Sequence, residues 1–172
     1  MTTILQTPRI LVREFLPDEE ELLVDLYRDE QVTLHLSNRT EEETREKFKG
    51  TIENYKNGTG LGRWGVFNPE DGDFIGVCIL MQNETDHIQI ETGYVFRAKY
   101  WGRGLATELV KSLIYYGFND KGLKEICACT NPENLASQNV LLKAGLKRDG
   151  NVFWHKQELP FFRILAQNVI IY

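Results

Sequence analysis

The sequence predicts one α+β domain built on a mixed sheet, and three observations carry that expectation. Its 172 residues are 42% hydrophobic and 26% charged, enough to bury one sizeable core and too apolar for a disordered chain. Strand-like and helix-like stretches alternate in the order β-α-α-β-β-β-α-β-α-β-β, which makes about seven strands and about four helices. No repeat, low-complexity tract or linker divides residues 1–172, so a single domain is expected.

Ile10-Leu-Val-Arg-Glu-Phe15 reads as the first strand. Pro17-Asp18 opens a helix over 18–30 whose Leu22, Leu23, Leu26 and Tyr27 share a face. A second helix is expected over 40–57, because Thr40 and Glu43 have capping-box spacing and Gly58-Thr-Gly60 ends it. Trp64 to Phe67 and Phe74 to Leu80 read as strands joined by the turn Asn68-Pro-Glu-Asp-Gly72. Residues 87–96 form a further strand with Ile88, Ile90, Thr92, Tyr94 and Phe96 on one face; Gly93 within it marks a bulge or a close backbone approach. Gly102-Arg-Gly104 then leads into a helix with Leu105, Leu109, Leu113 and Tyr116 on one face, ending near Lys121-Gly122. A strand at 125–130 completes a β-loop-α-β crossover, which lets it lie parallel to strand 87–96. Asn131-Pro-Glu-Asn134 opens the last helix, with Ala136, Val140, Leu141 and Ala144 on its buried face and Gly145 as its stop. Two closing strands are expected at 146–155 and 161–165, joined through Lys156 to Pro160.

Twenty basic against 25 acidic residues leave a net charge of −5, which argues against a general binder of nucleic acid or anionic membrane. From Arg97 to Lys124, however, six basic residues face two acidic ones, so this stretch is +4 and the rest of the chain −9. That local excess suits an anionic ligand. From Pro17 to Glu30 seven acidic residues accompany Arg28 alone, a run that fits a solvated helix face. No apolar stretch approaches the roughly 20 residues of a membrane-spanning helix, and Met1 precedes no basic-then-apolar leader, so a cytoplasmic protein is expected. Cys78, Cys127, Cys129 and the histidines His35, His87 and His155 lack metal-ligand spacing; reduced core thiols and no metal are expected.

In Trp101-Gly-Arg-Gly-Leu-Ala-Thr107, small residues let the backbone turn sharply and aim several N–H groups one way, at the positive end of the following helix. Such a turn cradles phosphate, and Arg97, Lys99 and Arg103 flank it. The same glycines would also serve a plain helix start. No G-K-S/T follows as a Walker A loop requires, and a Rossmann fingerprint needs Gly or Ala where Thr107 stands.

The run from Gly93 to Glu108, with Asn134-Leu-Ala-Ser137 and Lys143-Ala-Gly-Leu146, resembles the GNAT superfamily of acetyl-CoA-dependent N-acetyltransferases. Within it, the run looks like the branch that acetylates the N-terminal α-amine of ribosomal proteins. Gly104 and Ala106 fill the small positions of the superfamily loop, Q/R-x-x-G-x-G/A, and Trp101 replaces its usual Gln or Arg, as that branch commonly does. The resemblance implies a GNAT-like, mostly antiparallel sheet splayed between strands 87–96 and 125–130, with acetyl-CoA in the gap. Pantetheine would then lie along Tyr94, Val95 and Phe96. The diphosphate would sit on the loop of Trp101, Gly102, Arg103, Gly104, Leu105, Ala106 and Thr107. Asn134 and Ser137 match the family's N-x-x-S, in which the Asn holds the pantetheine arm and the Ser hydroxyl can lie near the sulfur. Without a cofactor the same pair would be a helix cap.

Acetyl transfer to an amine needs a neutral amine, donors for the developing oxyanion and a proton for the leaving thiolate. The resemblance implies that Glu91, two residues before Gly93, receives the amine proton, as an acid at this place does in related enzymes; on a strand it would equally be an ordinary carboxylate. Ser137 is the candidate acid. The Tyr that serves as acid in many superfamily members has no match here, where Phe153 and Trp154 occupy its region. Cys127 and Cys129 share a strand face and read as core, and His35 and His155 have no identifiable partner. Trp64, Trp101 and Trp154 read as packing or pocket walls.

The acceptor implied by the resemblance is a primary amine, the N-terminus of a protein or peptide. The alternatives are a small amine (polyamine, amino sugar or antibiotic) or a non-catalytic acyl-CoA-binding module. The acidic helix at 18–30 is expected to draw a cationic acceptor toward the cleft. Neither nucleic acid nor a membrane is an expected partner, and the chain is expected as a monomer or homodimer.

Overall fold

The computed structural model describes residues 2–82, 89–154 and 157–168. Among them the strands are β1 (Thr3–Gln6), β2 (Leu11–Arg13), β3 (Gly62–Phe67), β4 (Phe74–Gln82), β5 (Ile90–Phe96), β6 (Glu125–Cys129), β7 (Lys147–Trp154) and β8 (Gln157–Leu165). The helices are α1 (Glu20–Arg28), α2 (Glu30–Thr33), α3 (Glu41–Asn54), α4 (Leu105–Tyr115) and α5 (Leu135–Lys143). Hydrogen-bonded neighbours in the sheet run β1-β2-β3-β4-β5-β6-β8-β7. β5 and β6 pair in parallel with Glu91 opposite Cys127, as the crossover requires. Four other pairs, β1 with β2, β2 with β3, β6 with β8 and β7 with β8, are antiparallel. The sheet is therefore mixed and mostly antiparallel.

Several elements depart from expectation for local reasons. β1 is an additional strand, four residues that gain their order by pairing with β2. Helix 18–30 divides at Asp29, which is extended (φ −74°, ψ 109°) and accepts the Gln31 N–H at 2.9 Å, so it caps a new helical turn instead of continuing the old one. At Thr40 both halves of the capping box form: Thr40 Oγ1 accepts the Glu43 N–H at 3.1 Å and Glu43 Oε2 accepts the Thr40 N–H at 2.7 Å. Residues 157–160, expected as a connector, are strand. Pro160 is tolerated because it lies opposite Asn151, next to a register irregularity between Arg148 and Asn151. On α5 Leu141 and Ala144 are buried as expected, but Ala136 is exposed and Val140 half-buried, so the buried stripe is confined to the second half. Expectations for His87, Ile88, His155 and Lys156 lie outside the described residues.

The chain divides into two compact units, residues 1–79 with 94–105, and residues 80–93 with 106–172. The core of the first gathers Phe15, Phe48, Phe67 and Phe74, with ring centroids 5.4 to 6.4 Å apart, around Leu23, Leu26, Val32 and Val77. Edge and tilted ring contacts of this kind add to the burial energy of the rings. The acidic run on α1 is largely paired: Arg45 of α3 meets Glu20 at 2.5 Å, Glu21 at 2.6 Å and Glu41 at 2.8 Å, while Arg28 meets Asp25 and Glu41 and Arg13 meets Glu19. Three arginines are thus shared among five carboxylates, which offsets only part of the run's negative charge.

The second unit buries Leu109, Val110 and Leu113 of α4, Ile126 of β6, and Leu146 and Phe162. A cluster of Cys127, Trp154, Leu159 and Phe161 lies beside them. After α4 the chain makes a turn of π-helix, Tyr116–Asp120, and a Cβ on Gly117 there would fall 2.7 Å from Ile126 Cδ1. Glycine is the residue that fits. No helix of the described residues is long and apolar enough to cross a membrane.

Candidate active site

The glycine loop has an open left-handed turn. Gly102 and Gly104 adopt φ 73° and 76°, values that side-chain-bearing residues rarely hold. A Cβ on Gly102 would meet nothing within 4 Å, and one on Gly104 would meet only Arg9 Nη2, at 4.0 Å. These glycines thus serve the backbone turn rather than tight packing, and they leave space beside the loop. α4 begins at Leu105, so Ala106 and Thr107 stand in its first turn, where backbone N–H groups lack intrahelical partners. Space and donors together fit a diphosphate.

Trp101 is half exposed, and its indole Nε1 donates to the Phe96 carbonyl at 2.9 Å, which ties the loop to the end of β5. A close backbone approach is present at Gly76 on β4, where a Cβ would lie 2.1 Å from the Val95 carbonyl oxygen and 2.8 Å from Phe96 Cα. Arg97 N–H continues this contact by donating to the Ile75 carbonyl at 2.9 Å. The Tyr94 and Phe96 rings lie 5.2 Å apart.

The flanking cations are less available than their number suggests. Asp73 accepts hydrogen bonds from Lys99 Nζ and the Tyr100 hydroxyl, with Arg97 Nη1 3.8 Å from its other oxygen. The Lys99 and Tyr100 bonds hold the Asp73 carboxyl below the usual carboxylate range; burial and Asp73 together push the Tyr100 phenol up to about 12. Arg103 lies over the Tyr100 ring at 5.6 Å. Sequence reasoning missed Arg9. It reaches the loop from 94 residues away, with Nη1 donating to the Arg103 carbonyl at 3.0 Å, and no motif around Pro8-Arg9 signals it.

In the second unit Glu91 is half-buried on β5, and Cys129 Sγ lies 3.6 Å from its Oε1. Cys127 Sγ lies 3.7 Å from Gln89 Oε1. Cys127 belongs to the core as read, whereas Cys129 is half-buried beside the candidate base. Burial and the Glu91 carboxylate push the Cys129 thiol up, so it stays protonated. Asn134 is the N-cap of α5, its Oδ1 accepting the Ser137 N–H at 3.0 Å. The cap uses the oxygen; Nδ2 is the donor end of the same side chain. Phe153 is 72% exposed and Trp154 buried.

The model of the acetyltransferase (GNAT) domain matches residues 9–147. The chain is 28% identical over 154 residues to the uncharacterized N-acetyltransferase YoaA of Bacillus subtilis (strain 168), covering 87% of this chain and 86% of that protein. It superposes on an acetyltransferase of the GNAT family from Bacillus anthracis with a TM-score of 0.78 at 25% identity, covering 94% of this chain and 98% of the other. At 15% identity the fold is also that of RimL, a ribosomal L7/L12 alpha-N-protein acetyltransferase in complex with coenzyme A. That superposition has a TM-score of 0.79 and covers 95% of this chain and 98% of the other. The chain belongs to the GNAT acetyltransferase domain family. It is an acetyl-CoA-dependent N-acetyltransferase.

Proposed function

We propose that the acceptor is the N-terminal α-amine of a protein, such as a ribosomal protein, acetylated by direct transfer within a ternary complex. The segment from Gly93 to Glu108 carries this reading, above all Trp101 at the position where the superfamily usually has Gln or Arg. The bond from its indole to the Phe96 carbonyl supports a loop of that type.

Acetyl-CoA supplies the acetyl group as a thioester, activated for attack by nitrogen. The N–H groups of Gly102 to Thr107 hold the diphosphate at the positive end of α4, with Arg9 and Arg103 beside it. Tyr94, Val95 and Phe96 line the pantetheine, and Asn134 Nδ2 donates to it. Glu91 takes a proton from the acceptor ammonium, freeing the lone pair that forms the new C–N bond. As the C–S bond breaks, the Ser137 hydroxyl gives the leaving sulfur a proton and recovers one from solvent. The reaction takes place in the cytoplasm, where acetyl-CoA and reduced thiols coexist.

Arg13 and Arg45 offset only part of the acidic run from Pro17 to Glu30, so kcat/KM for a cationic acceptor should fall as salt rises. Competition between peptides beginning with Ser, Ala or Met and spermidine or an aminoglycoside tests the acceptor. Preference for a peptide supports the proposal, and preference for a small amine overturns it.

A further inference from the structure

We propose that Cys129 is a positioning residue for Glu91, its thiol donating to the carboxylate so that the base stays ionised and held in one orientation. This rests on the reading of Glu91 as the proton acceptor. The parallel pairing that sets Glu91 opposite Cys127 puts Gln89, Glu91, Cys127 and Cys129 on one face of β5 and β6. On that face two thiols meet two side-chain oxygens in succession, Cys127 to Gln89 at 3.7 Å and Cys129 to Glu91 at 3.6 Å. On the opposite face Thr92, Ile126 and Ala128 are buried.

Half-burial beside a carboxylate keeps Cys129 a thiol, so it acts as a donor and not as a nucleophile. A weak S–H donor suits the role. It favours the charged carboxylate and fixes its orientation, while a strong donor would cost more of the basicity that proton abstraction needs. The other charged or titratable groups on that face are Glu125 and Cys127 of β6, Arg163 of β8 opposite Cys127, and Lys147 of β7 opposite Arg163. Arg163 is engaged with Asp149 at 2.7 Å and with Glu125 at 3.9 Å.

The test is an NMR titration of the Glu91 carboxyl carbon in the full chain, together with pH profiles of kcat/KM. In Cys129→Ala the Glu91 midpoint and the low-pH limb should both move to higher pH by about half a unit, with kcat lowered several-fold and acetyl-CoA affinity unchanged. Cys129→Ser, which keeps a donor, should bring both back toward the wild-type values. An unmoved Glu91 midpoint in Cys129→Ala overturns the proposal. Glu91→Gln tests the underlying reading separately: a low-pH limb that survives it removes Glu91 as the base, whatever the titration shows.

Discussion

The N-termini of α4 and α5 were both expected to touch the cofactor, yet they treat their N–H groups in opposite ways. α4 is entered through Gly102 and Gly104 at positive φ, and glycine has no side chain with which to cap it. α5 is closed by its own N-cap, Asn134 Oδ1 accepting the Ser137 N–H at 3.0 Å, after a turn in which Asn131 Oδ1 accepts the Glu133 N–H at 2.9 Å. A helix dipole becomes an anion site where the sequence withholds the cap; where Asn supplies one, the same groups stabilise the fold instead. Under the proposed mechanism, the cofactor contact of α5 would be side-chain and short-range, through Asn134 Nδ2.

Four experiments break or sharpen this contrast. The largest effect belongs to Gly104→Val, which puts a branched side chain at φ 76° and into the space beside the loop. Acetyl-CoA affinity should fall at least about 100-fold by calorimetry in a variant whose circular dichroism remains native. Unchanged affinity would move the diphosphate away from α4. Next is Arg9→Ala, which should weaken acetyl-CoA about tenfold and flatten the salt dependence of binding. Arg9→Lys should fall between, because a single ammonium cannot fork between the Arg103 carbonyl and a phosphate. Equal affinities at low and high salt would reduce Arg9 to a clip on the loop.

Asn134→Ala should lower the unfolding free energy by about 1 kcal/mol through loss of the cap. It should also weaken coenzyme A several-fold while leaving binding of the adenosine diphosphate part alone unchanged. Stability loss with no change in coenzyme affinity would make α5 purely structural. The smallest effect is Asp73→Asn, read by amide hydrogen exchange at Tyr100 and Trp101, which should quicken a few-fold at neutral pH. Because the native Asp73 carboxyl is held below its ordinary value, its contribution is complete above that value and fades as pH falls through the depressed one. The wild type should therefore approach the variant below about pH 4, and a constant gap at all pH values would mean that Asp73 acts without its charge.

Elements whose geometry is set within a few residues were legible in the chain. Thr40 and Glu43 form their capping box, Gly58 and Gly145 end their helices at φ 63° and 103°, and the leucines of α4 are buried at helical spacing. Each depends on backbone dihedrals, one turn of hydrogen bonds or a side-chain period, all written in neighbouring residues. The open turn at Gly102 and Gly104, and with it the family, was readable for the same reason.

Other features required the chain to be folded first. β1 and residues 157–160 become strand because partners offer them hydrogen bonds, although Pro160 argues locally against one. The close approach of Gly76 to Val95 and Phe96 also had to await folding, since which glycine meets a neighbouring backbone depends on how the strands pair. Arg9 beside Gly104, Asp73 beneath Lys99 and Tyr100, and Cys129 against Glu91 join residues 26 to 94 positions apart. By itself, then, the sequence determined the periodic elements, the caps and the glycine turn that make this an acetyl-CoA fold. Only tertiary structure decided which charges are cancelled and which side chains surround the candidate base, because charge and hydrogen-bond partners act through space and not along the chain.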